Sequence, residues 1–499
     1  MVMGKDFSMA DDDSNMTARV RRAVLWRSGS QIAAQLVTWS STFFVIRMLS
    51  PSDYGLFAMT QVVLSLMNLL NGYSFTGPLV QAKEIDRGQV RQVLGMLILL
   101  NFSLAALQFL SAPLAAAYFR TPIVADLLRV QALFYLTTPF IMVPQALLSR
   151  GIDFRSQARA NIIAALLSAI VAPSCALAGL GVWTLVLAPL TLYYARAICL
   201  FVMGRWWVWP SFRFKGAGAV FGFGMAILVS ELLWFVQTQA DIFIAGRSLS
   251  AHAIGIYTTS LFLSQILVNK FVPAINEVAF PTYSRMDGDR AKVAAGFAKS
   301  VRIIMLVAIP FSLGLSVAAE PLILTVLGPK WVETVPVVRI LGCAMPFVTL
   351  QILYAPATNA LGRPSIAAAI SGTGAIIMPI SYLFAVRYGA VGMAYAWLTG
   401  FPLLTLVATI LSLRVIALRP GALLAALAPA LGGGLIMTAA VTGVDHLLAP
   451  LPPLPHLMIL VVTGAASYTA TLLLTARQVF SELASVAGLR GRRAAAAAA

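Results

Sequence analysis

Long, unbroken apolar runs follow one another along this chain, separated by polar connections that are mostly a few residues long. A bilayer core about 30 Å thick is crossed by roughly 20 apolar residues in a helix. In lipid, backbone groups must be paired within a helix or around a closed barrel. The runs are continuous rather than alternating between apolar and polar positions, so they predict helices. They fall at 24–46, 54–80, 92–118, 123–149, 158–178, 181–204, 219–246, 252–283, 301–327, 335–361, 365–386, 389–413, 421–444 and 456–476. The expected fold is an all-α polytopic membrane protein of about 14 transmembrane helices.

The pattern repeats. Phe43, Arg47, Leu49, Ser50 and Gly55 recur 200 residues later as Phe243, Arg247, Leu249, Ser250 and Gly255, and Phe44, Leu56 and Phe57 return as Ile244, Ile256 and Tyr257. Pro139 and Phe140 return as Pro346 and Phe347, within the fourth span of each half. Two like-oriented halves of six spans are expected, related by a pseudo-two-fold axis along the membrane normal, with cargo handled between them. The expected organisation is an N-terminal tail (1–23), a first lobe (24–204), a linker (205–218), a second lobe (219–415), two further helices (416–476) and a C-terminal tail (477–499). The linker carries Trp206, Trp207, Trp209, Arg213 and Lys215, suited to the membrane interface. Segment 284–300 reads as a short helix lying on the inner surface, with 81–91 in the matching place of the first half. Prolines recur within the spans, where each removes a backbone hydrogen bond and favours a kink.

Composition narrows the class. Sixty percent of the residues are hydrophobic and 11% are charged, more apolar surface than a soluble domain needs. A net charge of +17 raises the question of nucleic acid. With the N-terminus inside, however, 27 of the 35 Lys and Arg fall in inside segments or toward the inner ends of spans. Arg47, Arg120, Arg129, Arg247, Lys330, Arg339 and Arg387 fall in outside segments or toward the outer ends of spans, and Lys270 lies deep within a span. The basic balance therefore reports topology, and no nucleic-acid partner is expected. Both termini are expected in the cytoplasm, with no cleaved signal peptide and a disordered Ala-rich end. Cys175, Cys199 and Cys343 lie in spans without metal-ligand or disulfide spacing.

Ionisable groups in spans cost about 2.5–3.5 kcal/mol each at a helix centre on insertion scales. Glu231, Trp234, Thr238 and Asp241 share one face of the seventh span. Lys270 and Glu277 share a face of the eighth, flanked by Asn269 and Asn276. Three accounts fit: a hydrated lining, buried ion pairs, or coupling-ion binding at Glu231, Asp241 or Glu277. Asp241 lies near a helix end, where interface exposure competes. In the first half, Arg27, Gln31 and Gln35 repeat along the first span, and Asn68 shares a face of the second with Gln61 and Ser65. Such residues line a cavity or bond neighbouring helices. There is no phosphate-binding Gly-Lys loop, no HExxH and no nucleophile elbow with supporting acid and His. The expectation is a transporter without catalytic residues, cofactor or metal.

The segment Arg47 to Phe57, with Leu49, Ser50, Pro51, Tyr54 and Gly55, resembles the "LsPedfGlfa" signature of Wzx-type polysaccharide flippases. Asp241, Gly246, Ser248, Leu249, Gly255 and Tyr257 resemble that family's "D…lG…s…lG.Y" pattern, and Leu361 to Pro364 its "lGr.k" turn. Within the family the chain is most similar to the colanic-acid-exporter-like branch, across roughly residues 20–415. The resemblance implies the multidrug/oligosaccharidyl-lipid/polysaccharide exporter fold. It implies a cargo, an undecaprenyl-diphosphate-linked oligosaccharide, moved across the bacterial inner membrane by alternating access for exopolysaccharide or O-antigen (lipopolysaccharide) synthesis. A polysaccharide polymerase and other assembly proteins are implied partners. Cavity cations often hold the diphosphate in this family; Arg27 and Lys270 are the candidates here, although the deep charges are mixed. The rival readings are an ion-coupled drug exporter or lipid II flippase of the same superfamily and, behind these, a polytopic polymerase or glycosyltransferase.

Overall fold

The computed structural model describes residues 35–71, 79, 86–150, 154–204, 208–212, 218–286, 289–448 and 451–475; within these, the side chains of 154, 204, 218–231, 271–278, 280 and 281 lie outside the description. The N-terminal tail, the first part of the first span and the C-terminal tail also lie outside the described residues. Among those described, every regular element is a helix. A helix over 35–48 (α1) leads into α2 (Pro51–Asn68), α3 (Arg87–Phe119), α4 (Ile123–Gln131), α5 (Leu133–Arg150), α6 (Phe154–Leu177) and α7 (Trp183–Gly204). The chain continues through α8 (Gly218–Ser248), α9 (Ala251–Ser284), α10 (Arg290–Val317), α11 (Ala319–Val326), α12 (Thr334–Ala360), α13 (Pro364–Ala385), α14 (Gly389–Ile416), α15 (Pro420–Leu447) and α16 (Pro453–Thr475). Ten stretches among the described residues are long and apolar enough to cross a bilayer, one of which, Pro364–Ile416, comprises α13 and α14. Together with the relatives described below, these make the protein an all-α, multi-pass membrane protein.

Apolar run length and proline place most boundaries. Pro364, Pro420 and Pro453 open their helices, where a missing N–H costs nothing and the fixed φ suits the first turn. Two expectations change. The run 123–149 remains one candidate span, Ile123–Arg150, but turns at Ala132 between a short amphipathic helix and a longer one. The surface helix read at 284–300 is instead the start of α10, which continues unbroken from Arg290 to Val317. The Asp289 side chain accepts from the N–H groups of Ala291 and Lys292 and so starts that helix. Those hydrogen bonds and the nearby Lys292 ammonium hold the Asp289 carboxyl below its usual range. With 33 residues α3 is about 50 Å long, more than a bilayer core, so its first, polar turns can extend beyond the apolar layer. It begins after Asp86 as α10 begins after Asp289.

The internal repeat extends to packing. In the first half α3 packs on α5, α5 on α7 and α6 on α7; in the second, α10 packs on α12, α12 on α14 and α13 on α14. The added helices are joined to this framework: α15 packs along α10, and α16 along α15 and α11. Tyr468 donates to the Leu306 carbonyl at 2.8 Å. Large apolar side chains point outward, Leu110 and Leu114 among them at 75% and 74% exposure. In water such a surface would be a liability; in lipid it is the contact surface.

The chain divides into two compact units, 1–50 with 59–229, and 51–58 with 230–499. In the first unit, buried polar side chains bridge helices. Gln108 donates to the Leu128 carbonyl at 2.8 Å and accepts from the Tyr135 hydroxyl at 3.1 Å. Gln131 donates to Thr60 at 2.9 Å, and Asn101 to the Asn71 carbonyl at 3.1 Å. The described part of the linker is clipped to α3: Ser211 N–H donates to the Arg91 carbonyl at 2.8 Å, and Arg91 Nε to that of Trp209 at 3.1 Å. Trp206 and Trp207 lie outside the described residues.

In the second unit the first turn of α2 crosses the first turn of α9. A Cβ on Gly55 would overlap the Ala251 carbonyl oxygen, and one on Gly255 the Pro51 carbonyl oxygen. The contact is reciprocal at the 200-residue offset of the sequence repeat. Beside it, Tyr54 meets the fully buried Trp331 edge-on at 5.5 Å between ring centroids.

Candidate functional site

The second unit contains a cavity of about 410 Å³ between α8, α9, α12 and α14. The face of α8 read from the sequence turns toward it: Trp234, Thr238 and Asp241 all line it, with Gln237 and Gln239 beside them. Spacing explains this, because positions three and four apart stack along one side of a helix.

Asp241 is 1% exposed, so burial rather than interface exposure describes it. The Tyr257 hydroxyl donates to Asp241 Oδ2 at 2.7 Å, and Trp397 Nε1 donates to the Tyr257 oxygen at 2.7 Å. The Ile242 N–H lies 2.7 Å from Asp241 Oδ1. Trp397 stacks on Phe401 with centroids 4.6 Å apart. Three helices thus converge on one carboxylate through a relay of donors. Charge-assisted hydrogen bonds of this kind orient a buried acid. Among the described residues lining the cavity none is Lys, Arg or His.

The amides are the second component. Gln265 and Asn269 from α9 and Gln351 from α12 join Gln237 and Gln239 at the lining. Gln237 is 2% exposed and its Oε1 has no hydrogen-bond partner; the same atom of Gln239 is also unpartnered. Gln237 also lies against α13, where only hydrogen at Gly374 leaves it room: a Cβ there would sit 2.5 Å from Gln237 Oε1.

The other sequence candidates are spread more widely. Lys270 is exposed on α9 and is not part of this lining. Glu231, Asn276 and Glu277 belong to α8 and α9, but their side chains lie outside the described residues, as do Arg27 and Gln31 entirely. Gln35 is half-buried on α1. Asn68 is exposed at the end of α2 and accepts from Asn71 Nδ2 at 3.3 Å. Sequence reasoning did not select Tyr257, Gln265, Gln351 or Trp397 for this site. The available signal was a polar or amphipathic side chain inside an otherwise apolar run.

Known proteins agree with this architecture. The chain is 25% identical over 492 residues to the succinoglycan biosynthesis transport protein ExoT of Rhizobium meliloti, covering 95% of this chain and 97% of that one. It is 22% identical over 302 residues to the lipopolysaccharide biosynthesis protein WzxC of Escherichia coli, covering 59% and 60%. Its fold is similar to that of the lipid II flippase MurJ in an inward closed conformation, with a TM-score of 0.73, 13% identity, and 92% of this chain and 100% of that one covered. The polysaccharide biosynthesis protein family model matches residues 44–336. That match takes in α2 to α11 whole, the Gly55–Gly255 crossing and the acid at Asp241, and the chain belongs to the polysaccharide biosynthesis protein family.

Proposed function

We propose that the protein is a flippase for undecaprenyl-diphosphate-linked oligosaccharide repeat units, moving them from the inner to the outer leaflet of the bacterial inner membrane for exopolysaccharide or O-antigen assembly. The observation that carries this is a polar cavity built around Asp241 inside membrane-spanning helices of a chain from this family. Intramembrane ionisable groups are expensive and mark transport paths. The cavity gives the sugar headgroup a hydrated path while the polyprenyl chain remains in lipid. Exposing it first to one leaflet and then to the other moves the headgroup without any bond being made or broken, so the protein is a transporter and not an enzyme.

Asp241 is the residue assigned to ion coupling, taking a proton or small cation in one state and releasing it in the other. Its partners, Tyr257 and Ile242 N–H, are neutral donors and leave the carboxylate charge without neutralisation by the described cavity lining. Both termini are assigned to the cytoplasm from the distribution of Lys and Arg. A polysaccharide polymerase would receive the cargo on the other side.

The test is reconstitution into liposomes with fluorescent undecaprenyl-diphosphate oligosaccharide in the inner leaflet. Protein-dependent arrival in the outer leaflet is expected, and wild-type protein that leaves the lipid where it began overturns the assignment. An acid in an aromatic lining with no described cation also suits a cationic drug. Export of a cationic dye by the same liposomes, without lipid movement, would select that reading instead.

A further inference from the structure

The cavity lining indicates which part of such a cargo it fits. Five side-chain amides, two threonine hydroxyls and one carboxylate face a space walled by Trp234, Trp397 and Phe401, with no described cation. Each amide offers a carbonyl acceptor and two N–H donors, a complement to the adjacent hydroxyls of a sugar. The aromatic faces are suited to the C–H faces of a pyranose ring. Phosphate has the opposite need: it is held by Arg, Lys or clustered backbone N–H groups, and beside Asp241 its charge would be repelled.

Two further observations point to a ligand. Gln237 is 2% exposed, yet its Oε1 is unpartnered and the residue lines the cavity. A buried polar atom left in that state costs about 1–3 kcal/mol, and here it lies against Gly374 of α13 beside the cavity. The volume of about 410 Å³ equals that of roughly fourteen bulk waters at about 30 Å³ each. A single hexose and some water fill that space.

We propose that this cavity is a subsite for one uncharged sugar residue of the cargo, read by Gln237, Gln351 and their neighbouring amides, and that the diphosphate is held elsewhere in the protein. The proposal rests on the flippase reading and specifies its substrate contact. The cavity then selects cargo by its sugar, and the carrier lipid common to many such cargoes contributes nothing here.

The full chain in lipid nanodiscs is titrated with two probes: undecaprenyl diphosphate bearing one N-acetylhexosamine, and bare undecaprenyl diphosphate. Wild-type protein is expected to bind the sugar-bearing lipid about tenfold more tightly, the worth of one or two neutral hydrogen bonds. Gln237→Leu and Gln351→Leu, on different helices, are each expected to bring that ratio to within about twofold of unity without weakening binding of the bare lipid. Equal wild-type affinities, or a preference that survives in both variants, overturn the subsite and leave the flippase reading standing. If wild-type protein binds neither lipid, both fall. The wild-type comparison decides the matter even if one variant does not fold.

Discussion

The two compact units bury polar side chains for opposite ends. In the first, Gln108, Tyr135, Gln131, Thr60 and Asn101 are almost wholly enclosed, and the Gln108 amide, the amide N–H groups of Gln131 and Asn101 and the Tyr135 and Thr60 hydroxyls bond one another and backbone carbonyls. They tie helices together where lipid offers no hydrophobic drive for association. In the second, Asp241 and Gln237 are equally enclosed, but they face a cavity and Gln237 keeps an unpartnered oxygen. A polar residue in an apolar helix is therefore ambiguous by itself. What separates brace from site is the presence of space, since Gln131 Oε1 and Asn101 Oδ1 in the first unit are unpartnered as well.

That contrast breaks most readily at Asp241. Asp241→Asn keeps the size and the Tyr257 contact but removes the charge. Lipid flipping in liposomes is expected to fall at least about tenfold, while the melting temperature in detergent changes little; retained transport would make Asp241 another brace. Gln108→Leu should show the reverse. It strands the Tyr135 hydroxyl and the Leu128 carbonyl, and should lower stability by about 1–3 kcal/mol, with transport per folded molecule unchanged. A transport defect in well-folded Gln108→Leu would erase the distinction between the units.

Smaller effects sharpen the comparison. Tyr257→Phe removes one donor to Asp241 and leaves Trp397 Nε1 without its acceptor. A loss of a few-fold in transport is expected, together with a drop of about 1 kcal/mol in stability, because this residue both supports and orients. Asn68→Ala, at an exposed helix end, should leave both readouts within about 0.5 kcal/mol of wild type. Single-residue pulldown yield and thermal melts measure the stability arm of each variant, and leaflet-resolved fluorescence measures the transport arm.

Much of this was visible in the chain itself, and for specific reasons. Helix positions follow from apolar run length, and proline marks several starts, so the span read at 365–386 is Pro364–Ala385. The breaks at Ala132 and Ala318 left no comparable mark, because alanine is a good helix former and the runs stay apolar across both. Of the site, the α8 face was legible because its members sit on a single helix at helical spacing. Gln351 and Trp397 were not, since each contributes one side chain from a different helix and only tertiary packing unites them. Tyr257 was visible as part of a repeat, but its bond to Asp241 depends on how α8 packs on α9.

The crossing of Gly55 and Gly255 bears on how such a molecule changes over time. Duplicated segments ordinarily diverge at liberty, since either copy can absorb substitutions its sibling does not share. Here each copy presents a carbonyl to the bare α-carbon of the other, so a methyl group gained on one side cannot be offset by any side chain on the opposite side, where none exists. Ancestral likeness is thereby locked in at this point by mutual exclusion, even as the surrounding helices drift apart.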